Sequence, residues 1–126
     1  MDDNLYREEL MEVYKNTKVR GKLSAPSVEV FKKNQMCGDE ITLQLKITDG
    51  FIKDAKFDGS ACAVSVIASN FMLENIIGKT LSEAEKITKD DLLGMIGVNL
   101  TTSRVKCATL VLEALQNALK KYSQNK

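Results

Sequence analysis

Between Ile41 and Phe57 the chain reads ITLQLKITDGFIKDAKF, and no other run restricts the fold as tightly. Ile41, Leu43, Leu45 and Ile47 alternate with Thr42, Gln44 and Lys46, the period of a strand with one buried face. Asp49-Gly50 supplies two residues that tolerate positive φ, as a two-residue hairpin turn requires, and FIKDAKF returns antiparallel. Upstream, SVEVF is a third strand candidate, set off from the N-terminal segment by NTKVRGKLSAP with Gly21 and Pro26 as punctuation.

Helical periods flank this sheet. Residues 3–16 carry Tyr6, Leu10, Val13 and Tyr14 as an apolar stripe. After Asp58-Gly59 the period switches, and AVSVIASNFMLENIIG places Val64, Ile67, Ala68, Phe71 and Asn75 on one face, with Gly78 as a candidate C-cap. Thr80 or Ser82 can cap a short helix, Ser82 and Glu85 having the spacing of a capping box. Thr88 can cap the next, with Asp90 and Asp91 in its first turn. A last helix from about Thr101 to Tyr122 presents Val105, Ala108, Leu112, Leu115, Leu119 and Tyr122. The expectation is one α+β domain over residues 1–126, a small three-stranded antiparallel sheet with helices on one face.

The bulk properties narrow the function. With 126 residues, 44% hydrophobic content and a net charge of +1, the chain can bury a core and carries no field that points to nucleic acid or a membrane surface. No apolar run approaches the ~20 residues of a membrane span, and the charged N-terminus does not read as a secretory leader, so a cytoplasmic location is expected. Histidine is absent, which removes the commonest general base and nitrogen ligand.

Three cysteines remain: Cys37 before the first hairpin strand, Cys62 at the strand-to-helix junction, and Cys107 inside the last helix. Antiparallel pairing brings the start of one hairpin strand level with the end of its partner, so Cys37 and Cys62 belong at the same end of the sheet. The last helix can bring Cys107 to them, although nothing in the sequence forces it. Thiolates bind zinc or iron–sulfur clusters, and Asp39 is the available oxygen donor for a fourth position. A carboxylate is harder and less covalent than thiolate, so a cluster held by three Cys and one Asp should detach more readily than an all-Cys one. The spacing C-x24-C-x44-C is no local metal motif, however, and on spacing alone buried structural thiols are the simpler reading. Asp39 has an equally plain alternative as a turn residue bonding its own loop. Arg104 and Lys106 read by themselves as a solvated helix face.

The blocks LYREELMEVYKN, CGDEITLQLKI, DGFIKDAKFDGSAC, GKTLSEA and SRVKCATL, in this order, closely resemble the IscU/SufU/NifU N-terminal family of iron–sulfur assembly proteins. The resemblance implies that Cys37, Asp39, Cys62 and Cys107 bind a metal or cluster, with Gly38 turning the backbone so that Cys37 and Asp39 face one ion. It implies a cysteine desulfurase as sulfur donor, iron binding, a transient [2Fe–2S] cluster, and acceptor apoproteins, with zinc commonly at the same position. Lys106 stands where IscU-type members have histidine. NLTTSRVK lacks the Leu-Pro-Pro-Val-Lys segment that recruits an Hsp70-type chaperone, so recruitment by that route is not expected. RVKCATL is similar to SufU, and implies the alternative of a zinc-dependent sulfurtransferase, yet the chain lacks the SufU-type insertion before the third cysteine. A zinc-stabilised interaction domain without transfer chemistry is a third reading.

Overall fold

The computed structural model of this chain describes residues 11–12, 14–15, 17–34, 38–97 and 102–124, and for residues 102–104 the backbone alone. Strands β1 (Val28–Asn34), β2 (Asp39–Thr48) and β3 (Phe51–Asp58) form an antiparallel sheet in the order β1-β2-β3. The hairpin turn is where the sequence puts it: Asp49 and Gly50 have φ of 54° and 80°. Pairing slips between Lys46 and Ile47, leaving Lys53 as the extra residue on β3. This bulge lets both Ile52 and Ala55 face the core although they are three apart, and it turns Phe51 outward.

Helices α1 (Ala63–Ile76), α2 (Leu81–Glu85), α3 (Lys89–Ile96), α4 (Thr102–Ala108) and α5 (Leu110–Gln124) complete the described fold. Helix α5 covers β1 and β2, and α1 covers β3 while also packing on α3, α4 and α5. Leu43, Leu45, Ile52, Met72, Leu73 and Leu115 are fully buried between these layers. The opposite sheet face is crossed by the segment around residues 18–27. There the Leu23 N–H donates to Gln44 Oε1 at 2.7 Å, and the Lys46 and Lys56 ammonium groups bond the carbonyls of Ala25 and Lys18. Val19 and Gly21 also bond the backbone of Phe57, shielding the outer edge of β3.

Several expectations need correction. Helix α1 is not buried along one stripe: Ser65 through Asn70 are buried without a break, Val64 and Phe71 are half-buried and Asn75 is exposed. Its central position between sheet and helices is the reason. The helix ends at Ile77 in extended conformation, and Gly78 follows with φ of 92°, its N–H bonded to the Ile52 carbonyl at 2.7 Å. The capping box of α2 is Thr80 with Glu83, so Ser82 lies inside the helix and the Ser82–Glu85 pairing does not form. Thr88 caps α3 as expected, Asp91 closing the box. The long C-terminal helix is two, broken at Thr109, whose hydroxyl donates back to the Lys106 carbonyl at 3.4 Å. Met11, Glu12, Tyr14 and Lys15 are helical and Tyr14 packs against the core, whereas Tyr6, Leu10 and Val13 lie outside the described residues. Among the described residues, no helix is long and apolar enough to cross a membrane.

The connection from β3 to α1 is pinned onto the start of β2. The Glu40 N–H donates to the Ser60 carbonyl at 2.8 Å, and Arg20 donates from its guanidinium to the Gly59 carbonyl at 3.0 Å. Gly59 has φ of 135°, and a Cβ there would lie 2.2 Å from the Glu40 carbonyl oxygen. Gly38 also has positive φ, 71°, but with nothing within 4 Å of an added Cβ. Gly38→Ala should therefore cost only the left-handed conformation, about 1–2 kcal/mol. Gly59→Ala should cost clearly more in urea unfolding, because the backbone of β2 must move.

The cap of α2 supplies a pH test. The Thr80 backbone N–H and then its hydroxyl lower the pKa of the Glu83 carboxyl. A depressed folded pKa stabilises above the unfolded value and loses that contribution as pH falls through the folded one. The melting-temperature advantage of the wild type over Glu83→Gln should accordingly shrink on acidification below the ordinary carboxylate range. An advantage that grows there would contradict the cap.

Candidate metal centre

Asp39 opens β2 and is buried, with 4% of its surface exposed. Cys62 is the N-cap residue of α1, and its own side chain makes no capping bond. The Asp39 carboxylate meets the helix head from across the chain and satisfies a different one of its unpaired donors: Oδ1 accepts the N–H of Cys62 itself at 2.9 Å. A negative group at a helix head meets unpaired N–H donors and the positive end of the dipole, so this placement is favourable without any ion. Oδ2 accepts the Ser65 hydroxyl at 2.6 Å, in the short range of a charge-assisted bond.

Cys107 reaches the same place from α4, which packs against α1. It is buried, whereas Cys62 is partly exposed. The Cys107 carbonyl oxygen lies 2.8 Å from Ser65 Oγ, a second acceptor within reach of that hydroxyl, and the Cys62 thiol donates to Ser65 Oγ at 3.8 Å. One carboxylate oxygen and the two sulfurs lie within 4.8 Å of one another. A tetrahedral ion about 2.3 Å from each sulfur needs the sulfurs about 3.8 Å apart, so small side-chain rotations close this set around zinc or iron. Two soft thiolates with one carboxylate suit either metal and are a poor cage for calcium or magnesium.

Of the residues expected at the site, the structure thus brings together Asp39, Cys62 and Cys107, while Cys37 lies outside the described residues. Asp39 lies beside the two thiols, and the N–H that its Oδ1 accepts comes from Cys62, in a different loop from its own. Lys106 is exposed, with its carbonyl accepting from Asn34 Nδ2 at 3.3 Å, which ties the end of β1 to α4. The Arg104 side chain is outside the described atoms.

Ser65 and Gly59 were not singled out from the sequence. The signal for Ser65 was there: a polar residue three after Cys62, in a stretch that otherwise reads apolar, shares a helical face with the helix head. Gly59 looked like an ordinary turn glycine, because its contact is with a carbonyl distant in sequence.

Comparison with known proteins agrees with this geometry. The iron–sulfur cluster assembly scaffold protein IscU of Thermotoga maritima is 38% identical over 136 aligned positions, covering 95% of this chain and 96% of that protein. The zinc-dependent sulfurtransferase SufU of Bacillus subtilis is 32% identical, covering 94% and 92%. A crystal structure from Fervidobacterium islandicum, described as a scaffold protein for the SUF system, superposes with a TM-score of 0.77 at 32% identity, covering 94% of this chain and 99% of that one. The N-terminal NifU-like protein of Brucella abortus shares the fold, with a TM-score of 0.82 at 20% identity over 98% of both chains. The profile of the NifU-like N-terminal domain matches residues 5–126, and the chain belongs to that family.

Proposed function

We propose that this protein is an iron–sulfur cluster assembly scaffold. In this reading Cys37, Asp39, Cys62 and Cys107 hold a transient [2Fe–2S] cluster, built from iron and from sulfur delivered by a cysteine desulfurase, and pass it to acceptor apoproteins. The observation that carries the reading is the meeting of Asp39, Cys62 and Cys107, from three separate elements, within 4.8 Å. Relatives named as scaffolds, matched over nearly their full length, support it.

The chain's own residues have distinct tasks in this scheme. Of the two described thiols, Cys62 is partly exposed and is the one an incoming sulfur donor can reach, while Cys107 is buried and suits retention of the product. Asp39, the hard donor, gives the site one bond that exchanges readily. The cluster is cargo: a site built to release it should not enclose it with thiolates alone.

A second reading is favoured by one feature, the RVKCATL block together with the 32% identity to a zinc-dependent sulfurtransferase. There zinc holds the same residues and one cysteine accepts persulfide sulfur. Zinc-loaded protein would then strongly accelerate a cysteine desulfurase, and Cys37→Ala would abolish the acceleration.

Anaerobic reconstitution with iron, cysteine and a desulfurase should give visible sulfur-to-iron charge-transfer absorption, with equal amounts of iron and acid-labile sulfide. Cys62→Ala and Cys107→Ala should each lose it. Protein that stays colourless while accelerating the desulfurase would replace the scaffold reading with the second. Asp39→Ala should still assemble a cluster but transfer it to apo-ferredoxin several-fold more slowly, because the exchange-prone oxygen is gone. An unchanged transfer rate would remove Asp39 from the release step.

A further inference from the structure

We infer that Ser65 is a positioning residue of the metal centre, acting through Asp39; this rests on the assignment of Asp39 as a ligand in the function proposed above. The hydroxyl is completely buried, sits on the first turn of α1, and touches all three elements that build the site. It donates to Asp39 Oδ2 at 2.6 Å, lies 2.8 Å from the Cys107 carbonyl, and receives the Cys62 thiol at 3.8 Å.

A serine hydroxyl has one proton to give, and here two oxygens stand within reach of it. The ionised carboxylate is the stronger acceptor and the shorter contact, so it takes the proton. With the Cys62 N–H on Oδ1, both oxygens of Asp39 are then held by donors from the head of α1. The carboxylate cannot rotate about its own axis without breaking one of these bonds. Its direction toward the two sulfurs is therefore fixed before any ion arrives, which removes part of the ordering cost of binding.

The Cys107 carbonyl has a separate use in this arrangement. It is a second acceptor within 2.8 Å of the same hydroxyl, so an excursion of the serine away from Oδ2 still leaves the buried donor paired and α4 held against α1. Apolar neighbours Val64 and Val66 offer no substitute donor on this turn.

The test is a double-mutant cycle on the full chain, with zinc affinity read by competition against a chromophoric chelator. Ser65→Ala should weaken zinc binding about tenfold, the scale of a lost hydrogen bond to a ligand. Asp39→Ala should weaken it as well, and Ser65→Ala added to Asp39→Ala should change nothing further. Ser65→Thr, which restores a hydroxyl, should regain most of the affinity. Melting of the metal-free proteins is followed alongside, because a purely structural serine would lower stability without this dependence on Asp39. Equal losses from Ser65→Ala in the presence and absence of Asp39 would overturn the inference, as would unchanged affinity. If Asp39→Ala itself left zinc binding intact, the ligand assignment would fall first and the role of Ser65 with it. Should Ser65→Ala not fold, Ser65→Thr and Ser65→Gly carry the same cycle.

Discussion

The head of α1 leans on a carboxylate from another part of the chain, and the site depends on that contact. A helix starting at Cys62 leaves its first N–H groups without intrahelical partners, and a cysteine is a poor capping residue. Asp39 supplies the missing acceptor at 2.9 Å. The residue that meets the helix head is thus also the carboxylate beside Cys62, and forming this helix start brings the two together. Convergence of the site follows from an ordinary requirement of helix termini.

The rest of the architecture keeps that contact in register. Antiparallel pairing sets the first residue of β2 level with the end of β3, and the Glu40–Ser60 bond carries the ladder past the last paired residue. Gly59 lets the loop press against β2 at a separation that no side chain would permit. On the far side, the break at Thr109 ends α4 just after Cys107, so the Cys107 carbonyl can turn to Ser65 while α5 runs on over the sheet. Each device acts locally, yet all of them fix distances among the same three side chains.

How much of this could be read from the residues depended on how local the cause was. The hairpin was legible because alternation and Asp49-Gly50 both lie within one short run. The cap at Thr88 was legible for the same reason, though not its box with Asp91, and the box at Thr80 was assigned to Ser82 because two candidates two apart present the same signature. The stripe on α1 was misread, since periodicity marks one buried face and this helix is covered on nearly all sides. The break at Thr109 was invisible to a pattern that continues smoothly across it. The meeting of Cys62 with the start of β2 followed from strand pairing, whereas the arrival of Cys107 needed the packing of α4 on α1, which no spacing reveals. Ser65 was missed because a serine within a helix has many bland explanations until its neighbours are known.

The double use of Asp39 also bears on why such a site should release what it holds. A ligand with no partner besides the ion would expose its charge to a dry surrounding when the ion left, at considerable cost. Here the carboxylate already has a donor on each oxygen, and the serine has a second acceptor within 2.8 Å. An empty site therefore remains a satisfied one, with the helix capped and the hydroxyl paired. The donors that would aim Asp39 at an ion also keep the carboxylate paired when no ion is there, so the site need not rearrange in order to empty or refill. A thiolate in place of Asp39 would bind more covalently, and as a weaker hydrogen-bond acceptor it would cap the helix less well when the cargo had gone. Under the proposed function, aspartate at this position would suit both the loaded and the empty state, which a stronger ligand would not.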